Sequence, residues 1–293
     1  MIKSAVKKIL AEIAYSLRRF TDTLGITKPT MKVMSVDETL DELINTEKSL
    51  VRFGDGELTV IRGRGIEFQN VNEELRQDLI DVIGYQYDNL MVSIQDIFEG
   101  LSMYVPKSQF FWKDHLLFYR SYYKKYCNPN RIYASTSFSR AYITIADKSQ
   151  SVRWFEKAKK IWQDKDVVIV EGVTTHNGAG NDLFDGCKSV RRIICPPTNA
   201  YERLSEIKAE CMKMPKDMLF LVTLGPAAKP LVRDLFLEGY RVIDIGQIDS
   251  EYDMFLAKAT EKISFEKGKV ISIEDNRKMG FDKYLDEIIV RIE

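Results

Sequence analysis

The chain has 293 residues, 45% of them hydrophobic, and its 43 Lys and Arg residues balance its 43 Asp and Glu residues. This length and apolar content predict a globular protein with a large buried core. A net charge of zero provides no overall attraction to nucleic acid, and no apolar run of the sequence approaches the ~20 residues that span a bilayer. The chain is therefore expected to bind no nucleic acid and to cross no membrane.

The cysteines and histidines indicate a reducing compartment and disfavour zinc. The four cysteines form no CxxC pair, so they are expected to be free thiols in the cytoplasm. The two histidines, His115 and His176, are too few for a histidine-built zinc site. Each is expected to be an ordinary polar residue.

Residues 2–24 predict a basic amphipathic helix, because apolar side chains recur at helical spacing and Lys and Arg occupy the remaining surface. This helix belongs to a first segment, residues 1–30, ahead of a single domain over residues 31–293. Docking on the domain, or on a second subunit of a homo-oligomer, is favoured because most such stripes face a core. The alternative is peripheral contact with an anionic membrane, which would place the protein at the inner face of that membrane.

After a break at Lys28-Pro29-Thr30, residues 35–40 predict the cap and start of a second helix, which ends near Lys48. From Leu50 onward, β-type apolar runs alternate with helical stretches, and no repeat or low-complexity linker divides them. This alternation predicts an α/β fold with a mostly parallel sheet and helices on both faces. Strands are expected at residues 49–53, 90–94, 131–135, 167–171, 190–195, 218–224, 241–245 and 269–273. Helices are expected at residues 73–85, 110–126, 151–162, 200–214 and 227–237.

The stretch Arg52-Phe53-Gly54-Asp55-Gly56-Glu57 places two carboxylates two residues apart. In extended backbone, positions i and i+2 point to the same face, so Asp55 and Glu57 could both contact one cation. Oxygen ligands suit Mg²⁺ or Mn²⁺, and substrate phosphates commonly complete the shell of such an ion. An Asp-Gly pair between apolar residues is equally typical of a hairpin turn. These six residues alone leave a metal site and a structural turn open.

Polar and glycine-rich segments follow four successive predicted strands. In open parallel sheets, ligands bind beyond the carboxyl ends of the strands, so these segments predict one polar binding site. The run Gly178-Ala179-Gly180 before Asn181 and Asp182 offers amides at a helix N-terminus, which is typical of phosphate or ribose binding. Asn181 and Asp182 could equally be simple helix caps. Leu183 stands where a dinucleotide fingerprint needs glycine, which disfavours nicotinamide and flavin cofactors.

Five motifs follow one another along the chain: Arg52 to Glu57, Gly180 to Phe184, Arg192 to Pro196 with Asn199-Ala200, Gly225 to Lys229, and Asp244 to Gly246 with Asp249 and Glu251-Tyr252. Taken in order, these motifs resemble the GT-D fold glycosyltransferases. That family was formerly catalogued as a domain of unknown function, and it includes a streptococcal domain that adds glucose to a glycosylated surface adhesin. The resemblance runs from about Glu38 to about Leu256, and the ordered series is far more specific than any single motif.

The resemblance implies a Rossmann-like sheet of the GT-D type, a UDP-sugar donor such as UDP-glucose, and Mn²⁺ or Mg²⁺ held through Asp55 and Glu57. Many members look like products of bacterial polysaccharide clusters, so the implied acceptor is a glycan, a glycoprotein or a lipid-linked molecule. Gln247 stands where many relatives are expected to have histidine after Ile-Gly. An amide does not titrate, so no general base is expected at that position.

The diphosphate that leaves the donor needs its charge neutralised. The metal on Asp55 and Glu57 is expected to supply this, with Arg52 or Arg140 adding positive charge against the phosphates. The pocket for nucleoside and sugar is expected to involve Gly54, Asn181, Asp182, Asn199, Gly225 and Pro226.

The acceptor hydroxyl needs a base, and Glu251 or Asp249 is the expected one. Asp249 could instead cap a helix, and Glu251 could be a first-turn acid favoured by the helix dipole. Two other functions remain open. A non-catalytic sugar-nucleotide-binding protein would need neither metal pair nor base, and a metal-dependent nucleotide-sugar hydrolase would use the same metal with water. The presence of both features favours an enzyme over the non-catalytic binding protein.

Overall fold

The computed structural model describes residues 2–23 and 31–293, and its architecture is α/β. The strands of the described residues are β1 (Lys32–Val33), β2 (Ser49–Arg52), β3 (Leu90–Ile94), β4 (Ile132–Ser135), β5 (Asp166–Gly172), β6 (Ser189–Cys195), β7 (Leu219–Thr223), β8 (Arg241–Asp244) and β9 (Ile288–Arg291). They form one parallel sheet in the order β1-β4-β3-β2-β8-β7-β5-β6-β9.

Helices cover both faces of this sheet. They are α1 (Ile2–Thr23), α2 (Val36–Asn45), α3 (Asp55–Ile61), α4 (Glu73–Gly84), α5 (Pro106–Tyr126), α6 (Ser149–Trp162), α7 (Leu204–Cys211), α8 (Ala228–Leu237), α9 (Ile248–Leu256), α10 (Ile273–Lys278) and α11 (Asp282–Asp286). One layer contains α3, α4, α5, α7 and α8, which contact one another in succession, and α1 lies outside α5. The other layer contains α2, α6 and α9, with rings of α6 and α9 in contact.

The predicted α/β class and seven of the eight predicted strands are confirmed, with boundaries shifted by a few residues. The predicted strand at residues 269–273 is wrong. A 3₁₀ turn, Glu266–Lys269, and the start of α10 occupy that segment, because Ser272 Oγ accepts a hydrogen bond of 3.1 Å from the Asp275 amide and caps the helix. The edge strands β1 and β9, and the short helices α3, α10 and α11, are not predicted.

The predicted break at Lys28-Pro29-Thr30, and with it the boundary between the two predicted segments, lies outside the described residues. The N-terminal helix is confirmed as α1. Among the helices of the described ranges, none has the length and apolar character needed to cross a bilayer.

The connections that follow β2 and β8 leave the sheet toward opposite faces. These strands are neighbours, joined at Leu50 and Ile243, although nearly the whole domain separates them in sequence. The helix after β2, α3, belongs to the layer of α8, whereas the helix after β8, α9, belongs to the opposite layer. Connections that leave adjacent strands toward opposite faces open a crevice at their carboxyl ends, where α/β proteins bind ligands.

Both histidines are buried among aromatic rings. His115 is 5% exposed and stacks on Tyr119 with ring centroids 4.4 Å apart. His176 is 1% exposed and lies 5.0 Å from the ring of Tyr284. Burial lowers the pKa of each histidine to about 4, so both are neutral in the folded protein near neutral pH.

Candidate functional site

The residues after β2 begin a helix rather than a hairpin or an extended strand. Gly54 is the N-terminal cap of α3, which starts at Asp55, so both backbone geometries considered for the Asp-x-Glu motif are wrong. Positions i and i+2 of a helix do not face each other, and accordingly Asp55 is exposed while Glu57 is 6% exposed. The Gly54 amide donates a hydrogen bond of 2.7 Å to Glu57 Oε2, and this capping contact starts the helix.

A buried lysine contacts the other oxygen of the Glu57 carboxylate. Lys229, in the first turn of α8, is 2% exposed, and its Nζ lies 2.7 Å from Glu57 Oε1 and 3.0 Å from Asp244 Oδ2. It also donates a hydrogen bond of 2.9 Å to the Gly225 carbonyl. Burial would raise the pKa of Glu57, but the charges of Lys229 and Arg52 hold it below its ordinary value. Glu57, Lys229 and Asp244 form a charged triad that joins α3, α8 and β8.

The geometry fits a divalent cation at Asp55 and does not fit one at Glu57. Asp55 is an exposed carboxylate, of the kind that holds Mg²⁺ or Mn²⁺ together with substrate phosphates. Both oxygens of Glu57 are engaged, one by a backbone amide and one by an ammonium group that repels a second cation. In the part of the chain that the structure describes, no group of three or more His, Cys, Asp or Glu side chains is placed to hold a metal. Metal binding through both carboxylates stays a prediction.

Two guanidinium groups lie close together beyond the end of β2. Arg52 is 8% exposed, and its Nε has no hydrogen-bond partner among the described residues. Gly246, with a φ of 53°, packs so closely on this side chain that a Cβ there would be 2.8 Å from Arg52 Cδ. Burial and the charge of Arg52 lower the pKa of Arg140, while Glu251 and Asp55 act in the opposite direction. The two arginines therefore lie close enough for their charges to act on each other, with the carboxylates of Glu251 and Asp55 beside them.

Glu251 holds the segment that carries Arg140. It lies in the first turn of α9 and is fully buried. Its Oε2 accepts hydrogen bonds from the Tyr142 amide at 3.0 Å and the Ile143 amide at 2.8 Å, and its Oε1 lies 3.6 Å from Arg140 Nη1. These contacts position Arg140, and a role as base toward an acceptor, which stays a prediction, would require this carboxylate to become exposed.

Asp249 lies in a separate buried network beside the glycine-rich loop. Its Oδ1 accepts hydrogen bonds from the Gly178 amide at 2.8 Å and from Asn181 Nδ2 at 2.9 Å, and its Oδ2 lies 2.8 Å from Lys267 Nζ. Asn181 Nδ2 also donates a hydrogen bond of 2.8 Å to Asp253. Asp249 is 2% exposed, and its hydrogen bonds join the glycine-rich loop to α9.

No helix follows the glycine-rich loop, which corrects the prediction of a helix N-terminus there. Residues 173–188 form turns and bends between β5 and β6. Asn181 Oδ1 accepts a hydrogen bond of 3.0 Å from the Leu183 amide within these turns and caps no helix. Asp182 is exposed and accepts hydrogen bonds from the Tyr252 hydroxyl at 2.6 Å and from Lys159 Nζ at 2.7 Å. These contacts hold the loop in place through side chains.

Asn199 and Gly225 support the loop that carries Phe68. Asn199 has a left-handed φ of 52°, and its Oδ1 accepts a hydrogen bond of 2.8 Å from the Asn70 amide. Gly225 has a φ of 53°, and a Cβ there would be 2.5 Å from the Phe68 ring. Pro226 is buried in the turn that follows. Phe68, 40% exposed and not among the predicted residues, therefore lies over the end of β7 with part of its ring open.

A further carboxylate at this edge, Asp96, follows β3 and is not among the predicted residues. Its oxygens accept hydrogen bonds of 2.9 Å from both Ser135 Oγ and Ser137 Oγ, and another from the Tyr104 hydroxyl. Burial raises the pKa of Asp96, although these donors act in the opposite direction. The cluster fixes the 3₁₀ turn that leads toward the two arginines. An acidic residue soon after a predicted strand is the sequence signal that could have identified it.

The predicted residues lie in two groups along the carboxyl edge of the sheet. The group around β2 and β8 contains Arg52, Gly54, Asp55, Glu57, Arg140 and Glu251, with Asn199, Gly225 and Pro226 at the end of the neighbouring strands. The group beside β5 and α9 contains Asn181, Asp182 and Asp249. Lys229 and Asp244 complete the first group. Both belong to the five sequence motifs. A single charged residue in an apolar segment, however, does not indicate which residue it pairs with in the fold.

A sequence model of the family described as glycosyltransferase GT-D fold matches residues 50–272. The chain is 45% identical over 246 residues to the probable glycosyl transferase Gly of Streptococcus gordonii. It is 40% identical over 266 residues to the glycosyltransferase GlyD of Streptococcus pneumoniae serotype 4. These alignments cover 83% and 89% of this chain but 36% and 33% of the relatives. The chain therefore spans about a third of the length of the curated relatives it matches.

The fold is also similar to solved structures. A new glycosyltransferase from Streptococcus sanguinis, of domain of unknown function 1792, superposes with a TM-score of 0.82 at 41% identity, covering 90% of this chain and 100% of that one. A structure of the same domain, described as having a distinct glycosyltransferase fold, gives a TM-score of 0.84 at 38% identity and covers 90% and 97% of the two chains. The similarity therefore extends over most of both chains in sequence and in structure.

Proposed function

Because the chain belongs to the GT-D fold glycosyltransferases, we propose that it transfers a hexose from a UDP-sugar to a glycan, glycoprotein or lipid-linked acceptor. Glucose is the first sugar to test, because the sequence motifs resemble those of a glucose-adding domain. The proposed setting is the bacterial cytoplasm, during synthesis of surface glycans.

The observation that carries the donor proposal is the pair of arginines beyond β2. Burying a polar donor without a partner is costly, and Arg52 Nε has no hydrogen-bond partner among the described residues, although the charge of this arginine acts on Glu57. The neighbouring charge of Arg140 makes the cost larger. An anion between the two guanidinium groups would remove it, and the planar donors of arginine match phosphate oxygens. The diphosphate of a nucleotide sugar has this chemistry.

The other residues of the site are proposed to shape the donor pocket. Asp55 is the residue that would hold Mn²⁺ or Mg²⁺ together with the phosphates, and the ion would help to neutralise the leaving diphosphate. Glu57 and Lys229 keep α3 in place, so that Asp55 stays at the mouth of the crevice. Phe68 offers a partly exposed ring on which a nucleobase could stack.

The transfer itself forms a bond between the acceptor oxygen and the anomeric carbon while the bond from that carbon to the phosphate oxygen breaks. The electron pair of the broken bond leaves with the diphosphate, where Arg52 and Arg140 are proposed to stabilise it. The proton of the acceptor hydroxyl must pass to a base. Glu251 and Asp249 are the predicted bases, although both are buried in this arrangement.

A thermal-shift titration with UDP-glucose, with and without Mn²⁺, tests the donor site. Ligand at about 100 times its Kd stabilises a fold by about 2.7 kcal/mol, so the parent protein should melt at a higher temperature with ligand. Arg52→Met should abolish this shift and change the melting temperature of the free protein little, because Lys229 still pairs with Glu57 when the arginine is removed.

The matched control is Arg153→Met, which removes an exposed arginine that contacts Asp37 on the surface. It should keep the full UDP-glucose shift. If Arg52→Met instead lowers the melting temperature of the free protein and keeps the ligand shift, Arg52 is structural and the donor site is elsewhere. Release of UDP without any acceptor, at a rate equal to that with acceptor, would favour the hydrolase.

A further inference from the structure

The helix α1 contacts the domain through one side and leaves its apolar side uncovered. Glu12 forms an ion pair of 2.8 Å with Lys113 of α5, and Lys113 Nζ lies 5.3 Å from the ring centroid of Tyr15. The contact face of α1 therefore includes Glu12 and Tyr15, and the apolar stripe predicted to dock on protein is not part of it. The exposed fractions of the stripe are 49% for Val6, 59% for Ile9 and Leu10, 51% for Ile13, 61% for Leu17 and 62% for Phe20.

These six side chains form one continuous surface. Their spacing of three and four residues places them on one face over nearly four turns of helix. Within the described residues, no other element leaves a comparable row of large apolar side chains exposed. Contiguous apolar surface of this kind marks an interaction site in a folded protein.

The charges of the surrounding elements indicate which partner covers this stripe. The sequences of α1 and α5 together contain ten Lys and Arg residues and three Asp and Glu residues, whereas the whole chain has no net charge. A second copy of the same surface would bring two basic regions together. A bilayer with anionic headgroups would neutralise them while its acyl region accepts the apolar stripe.

We propose that α1 is an interfacial helix that lies in the plane of an anionic membrane, with Val6, Ile9, Leu10, Ile13, Leu17 and Phe20 inserted at the boundary of headgroups and acyl chains. The ion pair between Glu12 and Lys113 keeps the helix joined to the domain in this position. The proposal does not depend on the donor specificity of the site. If the acceptor is lipid-linked, it would bring acceptor and crevice to the same surface.

Flotation with phosphatidylcholine vesicles, with and without phosphatidylglycerol, tests the proposal. The full chain should bind the phosphatidylglycerol vesicles, and high salt should weaken that binding. The double variant Ile13→Asp with Leu17→Asp should bind at least about tenfold more weakly, because it places charge within the inserted stripe. The matched control is Ile273→Asp on α10, which changes a side chain with a similar exposure of 51% and should bind as the parent does.

Three results would overturn the proposal. One is equal vesicle binding by the parent and the stripe variant, and another is equal binding of the parent to neutral and anionic vesicles. The third is a parent that is dimeric without vesicles and becomes monomeric in the stripe variant, which would identify a second copy as the partner. The UDP-glucose thermal shift of the stripe variant reports separately on the fold and the donor site, so failure of one proposal is distinguishable from failure of the other.

Discussion

The carboxylate of Asp55 lies on the first residue of α3, where the helix dipole and the free backbone amides favour negative charge. The carboxylate of Glu57 points into the protein, toward the ammonium group of Lys229. Helix geometry thus gives the two acids of one motif different surroundings. One can meet a ligand, and the other stabilises the fold.

This separation predicts different phenotypes for the two acids. Asp55→Asn should remove the Mn²⁺-dependent part of the UDP-glucose thermal shift and change the melting temperature of the free protein little, because an exposed first-turn acid is worth roughly 0.3–1 kcal/mol. Glu57→Gln should lower the melting temperature of the free protein, since it weakens the pairing of Lys229. Loss of the Mn²⁺ effect in both variants, with both free proteins as stable as the parent, would show that both acids bind the ion.

Glu251→Gln distinguishes a positioning role from a role as base. The substitution keeps the shape but removes the charge that faces Arg140, so donor Kd should rise by about tenfold, equivalent to about 1.4 kcal/mol, while turnover at saturating donor changes by a few-fold. Steady-state kinetics with varied donor and acceptor separate the two parameters. A fall in turnover of ~100-fold with unchanged donor affinity would instead identify Glu251 as the base.

Among the elements, α3, α8 and β8 are joined by the charged triad of Glu57, Lys229 and Asp244. Removing one partner from a buried ion cluster leaves uncompensated charge. The triad therefore holds the mouth of the crevice in one arrangement, and its loss should affect stability before chemistry.

Lys229→Met keeps much of the side-chain volume but leaves two carboxylates facing each other in a buried site. Chemical denaturation should show a loss of about 3–5 kcal/mol in the free energy of unfolding. The matched control is Lys208→Met on α7, whose half-buried lysine lies 3.7 Å from Asp234 and should contribute about 0–1 kcal/mol. Equal losses in the two variants would mean that the triad does not stabilise the fold.

The sequence predicted those elements whose burial in the fold produces a clear pattern of apolar residues. Central strands of a parallel sheet are buried on both faces, and β5 accordingly shows a continuous apolar run from Val167 to Val170 with 0% exposure. The β-type run at residues 269–273 misled the prediction. Ser272 caps a helix within this run, and Ile271 is 57% exposed. The strand β9 is short and half buried, so its pattern is weak.

The candidate site was predictable to the extent that parallel strands bring their carboxyl ends to one edge. That rule correctly placed Arg52, Arg140 and Glu251 at the same edge of the sheet. It could not assign partners, since the contact of Glu57 with Lys229 joins residues that are distant in sequence. The Asp-x-Glu motif is helical because the Gly54 amide donates a hydrogen bond to Glu57. The glycines on either side of Asp55 indicated a turn, so the sequence pattern did not predict this contact.

For the whole molecule, the two buried histidines contribute to how stability depends on pH. The folded pKa of His115 and of His176 is about 4, below the ordinary value of 6.5, so the unfolded chain binds protons that the folded chain does not. The stability that the two histidines contribute should therefore be fully present above about pH 6.5 and be lost as the pH drops from there toward about 4. Urea denaturation at a series of pH values measures this slope.

The variant His115→Phe tests whether His115 contributes to this loss of stability. A phenyl ring suits the surrounding aromatic side chains and does not titrate. It should make the decline between about pH 6.5 and about 4 shallower, because the contribution of His115 is removed. A slope identical to that of the parent would show that other groups cause the acid sensitivity.

The Nε of Arg52, a buried donor without a hydrogen-bond partner among the described residues, also bears on how long the protein survives digestion. A fold that contains a buried donor without a partner is less stable when empty, and a bound diphosphate would stabilise it by mass action. Proteases cut the opened form, so the half-life of the chain under digestion should lengthen as donor is added. In a cell, the amount of this protein would then follow the supply of activated sugar, with no dedicated regulator required.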